Sequence, residues 1–259
     1  MSNTLKAVSF DLWDTLIDDD SDEPKREAQG LEPKPAARRR LLWEALDRHQ
    51  PIPLEEVSRA FDAADAAFNK AWKEDAVTWP IAERLRIAVD GLGRRLAADE
   101  LDAVAGALGR MEVDIPPDPV DGVHDALEAL AGRYRLAVVS DAIVTPADGL
   151  RQLLEGHGLK RYFDAFAFSD EVGRSKPHPA MFEAAARALG VEPAEMVHVG
   201  DREANDVDGP KALGMKAVLF TAKRDTSEAG TAADAICRRH ADLPAVIGGL
   251  AAGAAEKRA

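Results

Sequence analysis

The chain has 259 residues, 46 of them acidic and 33 basic, for a formal net charge of -13. That length allows one large domain or two modest ones with ample core. The acidity argues against nucleic acid, whose phosphates select basic surfaces. A single cysteine, Cys237, excludes an internal disulfide and a cysteine-based zinc site; it reads as an ordinary buried or half-buried helix residue.

The first strand begins almost at once, without an apolar signal segment. No run approaches the roughly 20 apolar residues of a membrane span. The expectation is a cytosolic protein with no membrane partner. Residues 6–12 read as a buried strand ending in an acid, Asp11, with Thr15 four residues later. In an α/β sheet such a strand delivers side chains from its carboxyl end into a crevice. A carboxylate there can serve as a nucleophile as well as a ligand. The acidic run Asp18-Asp19-Asp20-Ser21-Asp22 reads as a solvated loop or hinge. Pro24, Gly30, Pro33 and Pro35 continue the irregular stretch.

From about 36 to 112 the spacing is helical. Leu41, Leu42, Ala45 and Leu46 form one apolar stripe; Val57, Phe61, Ala64 and Phe68 form another. A third helix is predicted over 80–96, and a fourth from Ala98-Asp99 to about Met111. Trp72 and Trp79 read as core or interhelical packing, with a substrate-facing role as the alternative. No alternating β-branched run interrupts the block, which predicts a separate helical subdomain.

The Pro-rich segment 115–119 punctuates the return. Helices are then predicted at 123–130, 146–157, 179–189 and 206–213, between strands at 134–140, 165–168, 196–200 and 216–220. This βαβ rhythm predicts a parallel sheet covered on both faces. The resulting division is an α/β core of residues 1–17 and 116–259 with a helical insertion, 18–115, after its first strand. The Ala- and Gly-rich tail from Gly248 reads as a fraying helix end.

Three more predicted strand ends carry polar residues. Ser140 is followed by Asp141; Lys176 lies in the turn Gly173–Pro179 before a helix; Gly200-Asp201 precedes Asn205 and Asp206. Strand ends on one edge of a parallel sheet converge on one crevice. A lysine and hydroxyls can hold an oxyanion such as phosphate. Clustered carboxylates need a cation, and all-oxygen ligation suits Mg²⁺.

The order and spacing of these four groups resemble the haloacid dehalogenase (HAD) superfamily over nearly the whole chain. Asp11 with Thr15 resembles its first motif, Ser140 its second, Lys176 its third and Gly200–Asp206 its fourth. The resemblance implies a Rossmann-like core with a helical C1 cap inserted after the first strand. It implies that Asp11 attacks phosphorus, that Thr15 and Ser140 donate to the transferring group, and that Lys176 neutralises charge. Asp11, Asp201 and the Trp13 backbone carbonyl would hold Mg²⁺, with Asp206 completing the shell or orienting Lys176. The implied enzyme is a phosphatase of a small phosphorylated metabolite, as a monomer or homodimer.

Trp13 departs from the pattern, because most HAD phosphatases have there an aspartate that transfers protons. Losing a general acid/base costs about 10²–10⁴-fold. Asp14 is one residue late, and consecutive side chains of an extended segment face opposite ways. It reads as a turn or hinge residue, with substitution for the missing acid as the alternative.

The resemblance therefore leaves a rival open. True haloacid dehalogenases also have a non-acidic aromatic residue at this position, and their aspartate attacks carbon without a metal. Their halide-binding arginine would fall among Arg38, Arg39 and Arg40, with Arg39 the candidate, although the triplet also reads as a solvated helix start. The acidic Gly200-Asp201 and Phe182, where dehalogenases have tyrosine, oppose this reading. Phosphonate cleavage would need a lysine such as Lys25, Lys34, Lys70 or Lys73 with a depressed pKa. His198 reads as strand packing and His178 as a loop residue shaping the lysine turn. A HAD protein that binds without turnover is the non-enzymatic alternative.

Overall fold

The apolar runs become six short strands: β1 Ala7–Phe10, β2 Arg135–Ser140, β3 Ala165–Phe168, β4 Met196–Gly200, β5 Lys216–Phe220 and β6 Ala235–Cys237. All neighbours pair in parallel in the order β3-β2-β1-β4-β5-β6. A computed structural model describes residues 4–224 and 228–256 of the chain. Every residue of β1 and β4 is buried, as expected of strands covered on both faces. Strand order reverses direction on either side of β1, so the crevice of such a sheet lies at the carboxyl ends of β1 and β4. Phe10 is level with Val138 of β2 and Val199 of β4. Asp11 therefore leaves the sheet beside the end of β4, and its N–H donates to the Val199 carbonyl at 2.9 Å.

The chain separates into two compact units. One comprises Met1–Asp19, Asp118–Asp141 and Leu154–Ala259, and the other Asp20–Pro117 and Ala142–Leu153. In the sheet unit, Ala7, Ala137, Val139, Met181, Phe182, Ala185 and Leu189 form one buried cluster, which joins the helix Pro179–Leu189 to the sheet. The helix Val123–Ala131 packs on β2. Between β4 and β5 the expected helix over 206–213 is instead a wide π-type turn, Glu203–Asp208, followed by the short helix Gly209–Ala212. Cys237 is buried, but it ends β6 and is not in a helix. The tail from Gly248 belongs to the helix Leu243–Glu256, and residues 257–259 lie outside the described residues.

The helical unit is built from Lys34–Asp47, Leu54–Asp75, Ile81–Gly91 and Ala98–Gly109. Pro33, Pro53 and Pro80 immediately precede three of these helices. Proline presets the backbone there and needs no amide partner. The 22-residue helix stops where Ala76 turns left-handed at φ 51°. Leu42, Leu46, Val57, Phe61, Leu85 and Leu108 share one buried core, as the two stripes predict. Phe68 packs between Trp72 and Trp79, with ring centroids 6.4 and 6.1 Å away, which fits the packing reading of both tryptophans. The segment 142–153 groups with this unit because Thr145 and Pro146 close over Glu112 and Gly109. A Cβ on Gly109 would come within 2.8 Å of the Pro146 ring.

Two expectations fail in the region after the first strand. Glu23–Ala28 is a short helix, and Asp22 is fully buried although it ends an acidic run. The cause is Lys34, itself buried, whose Nζ lies 2.7 Å from Asp22 and 3.4 Å from Glu112. Burial pulls Lys34 down, but the charges of Glu112 and Asp22 outweigh it and raise the ammonium above the ordinary lysine value. Lys34 thus lacks the depressed pKa that an imine-forming lysine needs. Among the described residues no helix is long and apolar enough to cross a membrane.

Candidate active site

The site is assembled from strand ends within the sheet unit. After β1 the chain folds back at once: the Leu12 carbonyl accepts from both Leu16 and Ile17, and Asp14 N–H donates to Ile17 O at 2.7 Å. These bonds bridge Trp13 to Ile17 and do not use the Trp13 carbonyl. The turn leaves Trp13 half-buried and returns Thr15 to the interior. His240 secures it from below, with Nε2 2.7 Å from the Thr15 carbonyl. Burial holds the His240 imidazole down at about 4, so at neutral pH it is uncharged and Nε2–H donates.

Lys176 lies at the centre. Its Nζ is 2.5 Å from Asp11 Oδ1 and 2.6 Å from Asp206 Oδ1, and the residue is 3% exposed. Burial disfavours the ammonium, but Asp11, Asp206 and Asp141 together raise it above the ordinary lysine value. Asp141 also accepts the Lys176 backbone N–H at 2.9 Å, which fixes the turn carrying the lysine. The peptide bond from Lys176 to Pro177 is cis, and His178 caps the next helix by accepting from Ala180 N–H.

Carboxylate oxygens of Asp11, Asp201 and Asp206 lie within 4.8 Å of one another, all buried. Burial, with the negative charges of Asp11 and Asp206, pushes Asp201 up to about 7. Asp206 goes the other way: burial opposes its charge, but Lys176 and His198 hold it well below the usual carboxylate range. Gly200 permits this approach, since a Cβ there would stand 2.4 Å from the Asp206 carboxyl carbon. His198 does more than pack. It bridges Ser9 Oγ at 2.9 Å and Asp206 Oδ1 at 3.2 Å, and burial keeps it below the ordinary histidine value. Its Nε2–H therefore donates to the carboxylate while Nδ1 accepts from the serine.

The hydroxyls of Thr15 and Ser140 are fully buried, and neither has a hydrogen-bond partner among the described residues. Buried hydroxyls are rarely left so, and an unpaired one is open to a water, an ion or a ligand. Asp14, expected as a hinge residue or a spare acid, sits at φ 56° with both oxygens engaged. One accepts Asp19 N–H at 3.2 Å, and the other is 2.8 Å from Arg224. Arg224 also donates from Nε to Asp201 Oδ2. Sequence reasoning missed Arg224 and His240, because each reaches the turn after β1 from more than 200 residues away and no local spacing marks it. Arg39 belongs to the helical unit, where it pairs with Asp62 and lies over the Phe61 ring. Phe182 is buried edge-on against His198, with centroids 5.1 Å apart.

Comparisons with known proteins agree with this architecture. A family model described as haloacid dehalogenase-like hydrolase matches residues 5–214. The 5-amino-6-(5-phospho-D-ribitylamino)uracil phosphatase YigB of Escherichia coli is 28% identical over 219 residues, 82% of each chain. The crystal structure of a HAD phosphatase from Thermococcus onnurineus superposes with a TM-score of 0.62 at 26% identity, covering 95% of this chain and 99% of that one. A 2-haloacid dehalogenase from Pseudomonas syringae superposes with a TM-score of 0.69 at 24% identity, over 95% and 99%; at that identity the likeness speaks for the fold alone. With the model spanning most of the sequence and the six-stranded parallel core in place, the chain belongs to the haloacid dehalogenase-like hydrolase family.

Proposed function

We propose that the chain is a Mg²⁺-dependent phosphatase of a small phosphorylated metabolite in the cytosol, working through an aspartyl-phosphate on Asp11. The observation that carries this reading is the convergence of Asp11, Asp201 and Asp206 around Lys176. Counting Asp14 and Asp141, five carboxylates meet three cationic side chains among the described residues, Lys176, Arg224 and Arg202. Such a surplus of buried negative charge is costly without a further cation, and hard oxygen donors suit Mg²⁺. Asp11, Asp201, Asp206 and the Trp13 carbonyl would hold it. When bound, the ion neutralises charge on the transferring phosphoryl group.

In this reading an Asp11 carboxylate oxygen attacks phosphorus, and the bond from phosphorus to the ester oxygen breaks. The ester oxygen departs as an alkoxide with that electron pair and takes a proton from solvent; water then attacks phosphorus, breaks its bond to the Asp11 oxygen and releases inorganic phosphate. The open hydroxyls of Thr15 and Ser140 donate to the phosphoryl oxygens, and Lys176 offsets their charge. His198 and Asp141 position the lysine and its partner Asp206. Trp13 has no proton to give in this role, and Asp14 is tied to Arg224 and Asp19. The reaction therefore favours leaving groups that depart with little protonation, or a substrate that carries its own acid. The helical unit would act as the C1 cap that closes over a small substrate. The E. coli relative, itself named a phosphatase, supports the same reaction class.

Haloacid dehalogenation is the second reading, favoured by Trp13 and opposed by the acidic triad and Phe182. One assay separates them. Phosphate release from an aryl phosphate should require Mg²⁺, stop with EDTA and be lost in Asp11→Asn. Chloride release from a 2-chloro acid in EDTA would establish the dehalogenase instead.

A further inference from the structure

The segment after β5 brings a cation to the site that the four motifs do not contain. Arg224 Nε donates to Asp201 Oδ2, and its terminal nitrogen lies 2.8 Å from Asp14 Oδ2. Beside it, Lys223 Nζ is 2.6 Å from Asp18 Oδ2. The two carboxylates that share Arg224 differ in setting. Asp201 is buried at the end of β4, where the strand fixes its backbone. Asp14 sits on the turn after β1 and is half-buried. The Arg224 side chain is 38% exposed, so the guanidinium has water to retreat into while Asp201 does not.

We infer that Arg224 competes with the divalent cation for Asp201 and so weakens the hold of this site on Mg²⁺. The inference rests on the metal-dependent reading of the acidic triad. A guanidinium and Mg²⁺ carry like charge, and both would lie against one carboxylate. Their repulsion at a few ångströms outweighs any orienting benefit, because the end of β4 already positions Asp201. Asp14 keeps the competitor close: with its second hydrogen bond intact, Arg224 can release Asp201 and return to it. Asp14 is thereby an anchor for Arg224 and not a substitute for the proton donor that Trp13 replaces. The site loads at higher Mg²⁺ concentration than its acidic cluster alone would require, and it gives the ion up readily.

The test is isothermal titration calorimetry of Mg²⁺ into the full chain without substrate, comparing wild type, Arg224→Gln and Arg224→Lys. Arg224→Gln should bind Mg²⁺ about tenfold more tightly, the scale of relieving one near-surface charge repulsion. Arg224→Lys keeps the charge and should stay within about threefold of wild type. Equal or weaker binding by Arg224→Gln would overturn the inference and leave the metal-dependent reading standing. So would equal tightening in both variants, because charge would then not be the cause. If neither wild type nor Arg224→Gln binds Mg²⁺, the metal-dependent reading falls and the inference with it.

Discussion

Each unit of the molecule buries a cluster of charges, and the two clusters are balanced differently. In the helical unit Asp22 and Glu112 face Lys34, with Arg38 and the Thr145 hydroxyl also on Glu112. There two buried acids face two bases, with the exposed Asp20 also on Lys34, and the hydroxyl is consumed inside the cluster. In the sheet unit the acids outnumber the bases, one carboxyl is pushed up to about 7, and two hydroxyls have no partner. A cluster whose charges are close to balanced holds a fold together, whereas a surplus of buried negative charge is costly without a further cation. The distinction lies in the balance of charge and not in unpaired atoms alone, since Asp22 Oδ2 and Arg38 Nε of the helical cluster also lack a partner among the described residues.

Substitutions can break that contrast. The largest stability effect should come from Lys34→Met, which strands two buried carboxylates and should cost about 3–5 kcal/mol in urea denaturation. Adding Asp22→Leu should recover part of the loss. Ser140→Ala should do the opposite: phosphate release falls about 10²–10³-fold, while stability changes by less than about 0.5 kcal/mol because no hydrogen bond is lost. A large stability loss in that variant would show that the hydroxyl is structural. His240 supplies a pH readout. Its folded pKa of about 4 lies below the ordinary 6.5, so the unfolded chain binds the extra proton between those values. Its contribution is present above pH 6.5 and fades as pH falls towards 4. The stability difference between wild type and His240→Asn should shift by about 2–3 kcal/mol across that window. Thr145→Val should cost about 1–3 kcal/mol of stability, less than Lys34→Met, since it removes only one donor from Glu112.

How much of this was legible depended on whether pattern or distance set the feature. The strand ends at Asp11, Ser140 and Asp201 were readable, because parallel strands buried on both faces are continuous apolar runs that end abruptly. The helix Pro179–Leu189 and the stripe Val57, Phe61, Ala64 and Phe68 followed from proline placement and periodicity. β6 has only three residues, Ala-Ile-Cys, too few for a period, so Cys237 was assigned to a helix. Asp22 was read as solvated because charge runs usually are, and its partner Lys34 lies twelve positions away in the helix that follows. Arg224 and His240 were illegible for the same reason. Each acts on the turn after β1 from more than 200 residues away, and no local spacing encodes that.

The bond from His240 to the Thr15 carbonyl also bears on how the enzyme comes into being. It spans 225 positions, so the turn beside Asp11 is secured only when His240 reaches back to Thr15. Closing so long a loop costs entropy that must be met by contacts formed earlier. The helical unit has no such debt to the far end of the chain: its buried pairs join residues between 20 and 153. On the ribosome, where synthesis is slow and vectorial, that unit's contacts can form while the turn after β1 still waits for its support. The turn after β1 thus cannot take its final form before residue 240 is made, and a nascent protein lacking that residue would carry all four motifs around an unsupported turn.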